Sequence, residues 1–308
     1  MRATEQALLN AADRGDVDAA HLLVCNGSDV NRFNRYGHSP LHIASHRGHL
    51  AIVRLLLGHD ANINQLNNNG RTALFVASAQ GRVNVMLFLL DHSADVHRAD
   101  KRGWSPLSIA SARGHVAGVC LLLDRGADAR HRNNYGQSPL WMASVQGHWQ
   151  VALALLDRDA DINQGDETSH SPLWVASQRG HLRVVYLLLE RGDSNVYRPD
   201  NRGWSPLHVA VYNGHIEIVR LLLDHDVDVQ HANRNGHSSL LIASHRGHTG
   251  IVRLLLARGA NVHQADDRGL SPLCIASAQG HVEIERLLTD QLPVAIPVAT
   301  RRGVVRRG

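Results

Sequence analysis

Polar and apolar positions along this chain repeat with a period of 33 residues. The recurring segment reads "GHSPLHIASHRGH" at Gly37. Altered copies begin at Gly70, Gly103, Gly136, Ser169, Gly203, Gly236 and Gly269, and one inserted residue in "RGDSNVYRPDNRG" lengthens the interval before Gly203 to 34. A fixed period of this size indicates stacked supersecondary units that bury a continuous core between neighbours.

Each unit predicts two short helices and a turn. Ser39 can cap the first turn of a helix, Pro40 suits the first helical position, and Gly48 ends the helix. The segment "HLAIVRLLLGHD" predicts a second helix whose broad apolar face must be buried on both sides. The next segment, "ANINQLNNNG", predicts an extended arm and a tight turn. Helices of about eight residues are shorter than the ~12–15 at which isolated helices become marginal, so stacking must stabilise them.

These segments resemble the ankyrin repeat. "GHSPLHIASHRGHLAIVRLLLGHDANIN" is similar to the signature of that family, with Ser in place of Thr and Ala-Ser in place of Ala-Ala. "LLLDRGADAR" and "LLLARGANVH" resemble the end of the same signature. The resemblance covers residues 4 to about 292, or about nine units. It implies an all-α ankyrin-repeat solenoid of stacked helix-turn-helix units with projecting β-turns.

The two ends of the array read as caps. Asn10 and Asp13 stand where later units carry less polar residues, and Glu285 and Thr289 do the same at the other end, as terminal repeats require. We therefore expect an N-terminal capping repeat at 4–36, seven central repeats at 37–268 (starting near 37, 70, 103, 136, 169, 203 and 236), a C-terminal capping repeat at 269–292 and a flexible basic tail at 293–308.

The net charge of +4 comes from the tail. The last eight residues hold Arg301, Arg302, Arg306 and Arg307, which leaves a neutral body. A nucleic-acid groove in the repeats is therefore not expected. Weak nucleic-acid association through the arginine tail stays open as an alternative, and it predicts binding that falls steeply with salt.

Lysine is almost absent. Lys101 is the only one, against 31 arginines. Genomic base composition explains this, and so does avoidance of lysine-directed modification such as ubiquitination. The second explanation suggests a substrate-recognition adaptor in ubiquitin transfer or a secreted effector, which we keep as alternatives.

The remaining composition favours a protein of the cell interior. No apolar run approaches the ~20 residues that cross a bilayer, and the N-terminus lacks the apolar core of a signal peptide. Cys25, Cys120 and Cys274 are far apart and form no CxxC motif, which argues against a disulfide framework or a thiolate zinc site. We expect a monomer in the cytoplasm, with the nucleus also open, and no membrane partner.

Twenty-two histidines raise the question of a metal. The Gly-His step of the repeat accounts for many of them, and the best local cluster, His42, His46 and His49, has no carboxylate or thiolate beside it. No P-loop, nucleotide-binding glycine motif, nucleophile elbow or HExxH motif is present. We therefore expect no metal, no cofactor and no enzyme activity.

Residues that vary between units should carry partner recognition. The resemblance implies that the turns and first helices line a concave protein-binding surface. Trp104 and Trp204 follow the turn glycine in only two units, so the scaffold does not require them, although each could instead pack over the neighbouring turn. Aromatic residues and Arg are enriched in binding hot spots. The candidates are Arg35, Tyr36, Arg102, Trp104, Arg113, Tyr135, Arg202, Trp204 and Tyr212.

The other aromatic and Asn positions are assigned differently. Trp141 and Trp174 occupy the position of His42, which in the resembled family secures the turn, so we expect them to pack between repeats. The resemblance also implies that Asn31, Asn64 and Asn163 match positions that can be hydroxylated.

Residues 169–202 form the least regular unit. Ser169 replaces a turn glycine and one residue is inserted, so this unit is predicted to be locally softened or differently curved. Native-state hydrogen exchange should show lower protection here than in the adjacent units. Uniform protection across the three units would contradict this.

Overall fold

A computed structural model describes residues 3–192, 195, 198–225 and 227–291, with side chains from Gln6 onward. These residues form eighteen α-helices, and none of them lies in a β-strand. The described residues form two compact units, one up to Val227 and one from Asp228 onward. The expected all-α repeat fold is confirmed.

The first unit is a row of helix pairs. It contains α1 (Ala3–Arg14), α2 (Val17–Cys25), α3 (Pro40–Arg47), α4 (Leu50–Gly58), α5 (Ala73–Ala79), α6 (Val83–Asp91), α7 (Pro106–Ala112), α8 (Val116–Asp124), α9 (Pro139–Gln146), α10 (Trp149–Leu156), α11 (Pro172–Arg179), α12 (Leu182–Glu190), α13 (Pro206–Tyr212) and α14 (Ile216–Asp224). Odd-numbered helices pack on the odd-numbered helices of adjacent repeats, and even-numbered helices pack likewise.

The second unit repeats the same arrangement. It contains α15 (Ser239–Arg246), α16 (Thr249–Ala257), α17 (Pro272–Gln279) and α18 (Val282–Thr289). Helix α15 packs on α16 and α17, and α18 packs on α16 and α17. The expected tail, 293–308, lies outside the described residues.

The first helix of each repeat begins as its sequence predicts. Ser39 has extended backbone dihedrals, its Oγ accepts from the N–H of His42, and Pro40 follows as the first helical residue. Gly48 ends α3 in the left-handed conformation. The prediction of the start and end of this helix is confirmed.

The apolar face of the second helix is only partly buried, as α4 shows. Ile52, Val53 and Leu56 of α4 are fully buried, whereas Leu55 and Leu57 remain partly exposed. Helix α4 contacts α2 and α6 in the repeats on either side of it, so the expected burial on both sides is found for these three residues but does not extend to Leu55 and Leu57. Only one face of α4 meets the first helices, and each fully buried aliphatic side chain contributes about 1.5–3 kcal/mol.

An Asn or Asp organises each turn. The Oδ1 of Asn67 accepts from the N–H groups of Asn69 and Arg71, and the N–H of Gly70 donates to the Asn67 carbonyl at 2.9 Å. Side chains of this kind hold tight turns by bonding to backbone two residues ahead. Asn34, Asp100, Asn133, Asp166 and Asp200 make the same contacts in the first unit, and Asn233 and Asp266 make them in the second.

The Gly-His step joins one repeat to the next. The His115 ring lies against Gly81 of the preceding repeat, where a Cβ would be only 2.7 Å from it, and His115 Nε2 lies 3.2 Å from the Ala79 carbonyl oxygen. Glycine is required here because any side chain would displace the ring. The same ring-to-carbonyl contact is made by His49, His181 and His215 in the first unit and by His281 in the second.

Arg82 shows what this contact needs. It stands where the other repeats carry the histidine, and its Nε donates to the His46 carbonyl at 3.1 Å. The scaffold therefore requires an N–H donor that reaches back to the preceding repeat, and most of these histidines serve this purpose.

The Asn residues considered for hydroxylation also connect repeats. Asn31 Oδ1 accepts from the Asn62 N–H at 2.7 Å, and Asn64 Oδ1 accepts from the Asp95 N–H at 3.0 Å. Asn163 does the same for the N–H of Asn195 at 2.9 Å. Their side-chain oxygens thus have a structural role between adjacent repeats.

The turn at Ser169 departs from the others. Ser169 has a φ of +67°, and its Oγ donates to Oδ1 of Asn201 in the next repeat. The Asn201 Nδ2 lies 3.5 Å from the Glu167 carbonyl, compared with 3.0 Å from Asn68 to Arg35 in a glycine turn. The softening of this unit stays a prediction, and residues 193, 194, 196 and 197 of the inserted segment lie outside the described residues.

Ser93 and Gly126 provide a matched test of backbone strain. They occupy equivalent positions after α6 and α8, with φ of +65° and +81°, and a Cβ at Gly126 would meet nothing within 4 Å. Because a left-handed conformation costs a non-glycine residue about 1–2 kcal/mol, Gly126→Ser should destabilise the protein by about 1 kcal/mol. Ser93→Gly should stabilise it by about 0.5–1 kcal/mol, the glycine entropy in the unfolded chain offsetting part of the gain. Urea unfolding measures both, and a destabilised Ser93→Gly variant would show that the strain argument is wrong.

His42 is buried in a defined protonation state. The Ser39 N–H donates to its Nδ1 at 3.3 Å, so Nδ1 carries no proton, and Nε2–H donates to the Arg71 carbonyl at 2.9 Å. Burial of the ring, partly opposed by the hydrogen bond to the Arg71 carbonyl and assisted by the nearby His38, lowers the pKa of His42 from 6.5 to about 4. In the folded state the His42 ring therefore stays neutral down to about pH 4, whereas in the unfolded chain it takes up a proton as the pH falls through 6.5.

This difference predicts how stability changes with pH. The contribution of neutral His42 is complete above pH 6.5 and is lost as the pH falls to about 4, with a total of about 3 kcal/mol. His42→Phe removes this component, and Phe75 already fills the equivalent position. The free energy of unfolding should therefore depend less steeply on pH in the variant than in the natural protein. An NMR titration in which His42 protonates near pH 6.5 would contradict the assignment.

Candidate functional site

Three sets of side chains form one surface of the first unit. They are the two residues before each turn glycine or Ser169, the residue after it, and the two residues before the glycine that closes the first helix. We call this set the turn surface, and it comprises residues 35–36, 38, 46–47, 68–69, 71, 79–80, 101–102, 104, 112–113, 134–135, 137, 145–146, 167–168, 170, 178–179, 201–202, 204 and 212–213.

Trp141 and Trp174 lie under the turn surface and form hydrogen bonds to the next repeat. The Trp141 Nε1–H donates to the His170 carbonyl at 3.0 Å, and the Trp174 Nε1–H donates to the Trp204 carbonyl at 2.8 Å. Each bond crosses to the next repeat and replaces the bond that His42 makes to Arg71. The prediction that Trp141 and Trp174 pack between repeats is therefore confirmed.

Trp104 and Trp204 lie on the same apolar cluster. Its buried members are Trp141, Met142, Trp174, Val175 and Val209. Trp104 and Trp204 are partly buried and pack against this cluster. The sequence treats them as two separate points, whereas the structure connects them through a continuous aromatic floor. Trp104 and Trp204 therefore pack against the cluster while part of each indole remains in solvent.

A pocket of about 500 Å³ opens beside Trp204. The rings of His170 and Trp174 stack with centroids 3.8 Å apart, and the Tyr212 ring meets Trp204 edge-on at 5.6 Å. Arg202 lies at the rim of the pocket. The pocket thus has aromatic walls and a cationic edge, which can accommodate one apolar side chain of a partner.

The remaining candidates lie on the turn surface outside this pocket. Arg35 lies over the ring of Tyr36, 4.6 Å from its centroid, and Tyr36 is 54% exposed. Tyr135 is 50% exposed at the tip of a turn. Arg102 and Arg113 are exposed in the repeat that carries Trp104. The structure therefore gathers Arg202, Trp204 and Tyr212 into one site and leaves the other six candidates spread along the surface.

The His42, His46 and His49 side chains do not converge. Both nitrogens of His42 are bonded to backbone groups, and His49 points to Gly15 of the preceding repeat. Burial, then the charges of Arg47 and Arg82, lower the pKa of His46. Among the residues with described side chains, no group of three His, Cys, Asp or Glu is arranged to hold a metal ion.

Sequence reasoning missed a second surface feature. Trp149, Leu182 and Tyr186 line an apolar groove of about 790 Å³ across α10, α12 and α14. A signal for it exists in the chain, because the position of Tyr186 is Leu in one earlier repeat (Leu87) and Arg in another (Arg54). The charged residues of this groove, Arg183, Glu190, Glu217, Arg220 and Asp224, are of both signs.

None of the helices in the described ranges is long and apolar enough to cross a membrane.

The comparisons with known proteins agree with this architecture. A model of ankyrin repeats, built on three copies, matches residues 8–100, 94–166, 164–233 and 225–296. A comparison with curated proteins returned no match. The matched ranges run through both units and include every residue of the turn surface. The chain therefore belongs to the ankyrin-repeat family.

Proposed function

We propose that this protein is a non-enzymatic scaffold that binds another protein through its turn surface. Ankyrin repeats are generally protein–protein interaction modules. The proposal adds the surface and the residues to this general role. It names Arg35, Tyr36, Arg102, Trp104, Arg113, Tyr135, Arg202, Trp204 and Tyr212 as the contact residues.

The observation that supports it is the continuous aromatic floor beneath exposed arginines. Hot-spot residues in interfaces are enriched in Trp, Tyr and Arg and lie in well-packed surroundings. Trp104 and Trp204 are held by the buried cluster, so little side-chain entropy remains to be lost on binding. Arg102 and Arg202 stand two residues before them in turns that Asp100 and Asp200 fix.

The proposal includes a monomer acting in the cytoplasm or nucleus. The separate, free thiols of Cys25, Cys120 and Cys274 support a reducing compartment. The ubiquitin-adaptor and effector alternatives rest on the scarcity of lysine alone. The nucleic-acid alternative rests on residues 301–308, which lie outside the described part of the chain.

Affinity capture from lysate of the native cells tests the binding surface. The variant is Arg102→Ser, Arg202→Ser, because these side chains are exposed and their removal leaves the turn backbone bonds intact. A specific protein should be captured by the natural chain and lost, by about tenfold or more, from this variant.

Arg183→Ser is the matched control on the opposite helices, where the guanidinium lies 5.9 Å from the Trp149 ring centroid. It should capture the same protein as the natural chain. Circular dichroism verifies that all three proteins are equally folded. Capture that is reduced by Arg183→Ser but unchanged by the double variant would contradict the proposed surface.

A further inference from the structure

The turn surface is predominantly basic. Eight of its residues are Arg or Lys, and Glu167 is its single acidic member. Arg47 pairs with Asp13, and Arg71 pairs with Asp100. Within the described residues, the other six have no carboxylate at ion-pair distance: Arg35, Lys101, Arg102, Arg113, Arg179 and Arg202.

The acidic residues next to this surface are already occupied. Asp100, Asp166 and Asp200 sit inside the turns, and each accepts two backbone N–H bonds of 2.8–3.1 Å. Asp100 and Asp200 are less than a tenth exposed. These carboxylates stabilise the turns and are not accessible as acceptors for a partner, but their charges reduce the positive field of the eight cations, which stays net positive in front of the surface.

The opposite side of the first unit has the reverse balance. The second helices and the residues that follow them, in 50–62, 83–95, 116–128, 149–161, 182–192 and 216–225, contain eleven acidic and six basic residues. These two sets sum to +7 (8 − 1) and −5 (6 − 11), and the other charged residues, among them the turn carboxylates, bring residues 1–227 to a net charge of zero (22 basic and 22 acidic). The net charge of the sequence therefore conceals an uneven distribution of charge in the first unit.

The distance between Arg102 and Arg202 matches the length of a short extended peptide. Helices in contact lie about 8–10 Å apart, and an extended peptide advances about 3.3 Å per residue, so one repeat corresponds to about three partner residues. Arg102 and Arg202 lie three repeats apart, which corresponds to about nine residues of such a peptide. The pocket beside Trp204 lies at one end of this path.

We propose that the turn surface binds an extended acidic segment of a partner protein, with acidic residues at two positions about nine residues apart and one apolar side chain in the Trp204 pocket. This inference rests on the proposed function and adds the chemistry of the partner. The carboxylates pair with Lys101, Arg102 and Arg202. The apolar side chain contacts Trp174, Trp204 and Tyr212.

A peptide fits this site better than a single-stranded nucleic acid. Bases bind by stacking on open aromatic faces. His170 already stacks on Trp174, and Tyr212 meets Trp204 edge-on, so the site is a recess with occupied ring faces. The turn-surface cations number eight over six repeats, with none in the repeat that begins at Gly136, which is sparser than the phosphates of a nucleic-acid strand.

Selection from a displayed library of random linear peptides of about twelve residues tests this inference on the full-length protein. Enriched sequences should be net negative, with acidic residues about nine positions apart and one aromatic or aliphatic residue. Fluorescein-labelled copies should bind at least about tenfold more weakly to Arg102→Glu, Arg202→Glu and should weaken as salt rises from about 50 to about 300 mM. Tyr212→Ala should weaken the same peptides by opening the pocket.

Arg183→Glu is the control on the acidic side, and it should change these affinities by less than about twofold. Enriched peptides that are neutral or basic, yet lose binding in Tyr212→Ala, would overturn the acidic partner and leave the proposed function standing. Enriched peptides that ignore every turn-surface variant, or no enrichment at all, would overturn both. Labelled oligo-dT binding as tightly as the peptides, and competing with them, would replace the acidic segment with a nucleic acid.

Discussion

Contact between one repeat and the next is the constraint on which this structure depends. Apart from α1, the helices contain seven to nine residues, well below the ~12–15 at which a helix becomes marginal in water. Apolar packing supplies the bulk of the stabilisation, and the polar contacts set the register between repeats. Three such contacts are His115 on Gly81, Trp174 to Trp204, and Asn62 to Asn31. Each joins residues that are 30 to 36 positions apart in the sequence.

Local sequence predicts much of this fold, because the signals for single helices are themselves local. Ser39, Pro40 and Gly48 identify α3 from its own residues. The features that the sequence does not reveal depend on a neighbour one repeat away. The proton on Nε2 of His42, for example, is fixed by the Arg71 carbonyl of the next repeat. The contacts of the Gly-His step and of the Asn residues likewise depend on hydrogen-bond partners in an adjacent repeat.

The candidate site shows the same division. Residue type and position identify Arg202, Trp204 and Tyr212 only as three of nine separate candidates. Their assembly into a pocket cannot be deduced from spacing, because it requires the stacked pair of His170 and Trp174 between them. The polarisation of charge is also hidden from composition, since it appears only when residues are sorted by the side of the molecule on which they lie.

The contacts of the Gly-His step have a direction. In each of them the donor belongs to the later repeat and the acceptor to the earlier one, from His49 to His215 in the first unit. A ribosome adds about 5–20 residues per second, so a repeat emerges every few seconds, whereas a short helix forms within about a microsecond. Each new repeat therefore meets acceptors that are already in place, and the array can be assembled in the order of its translation.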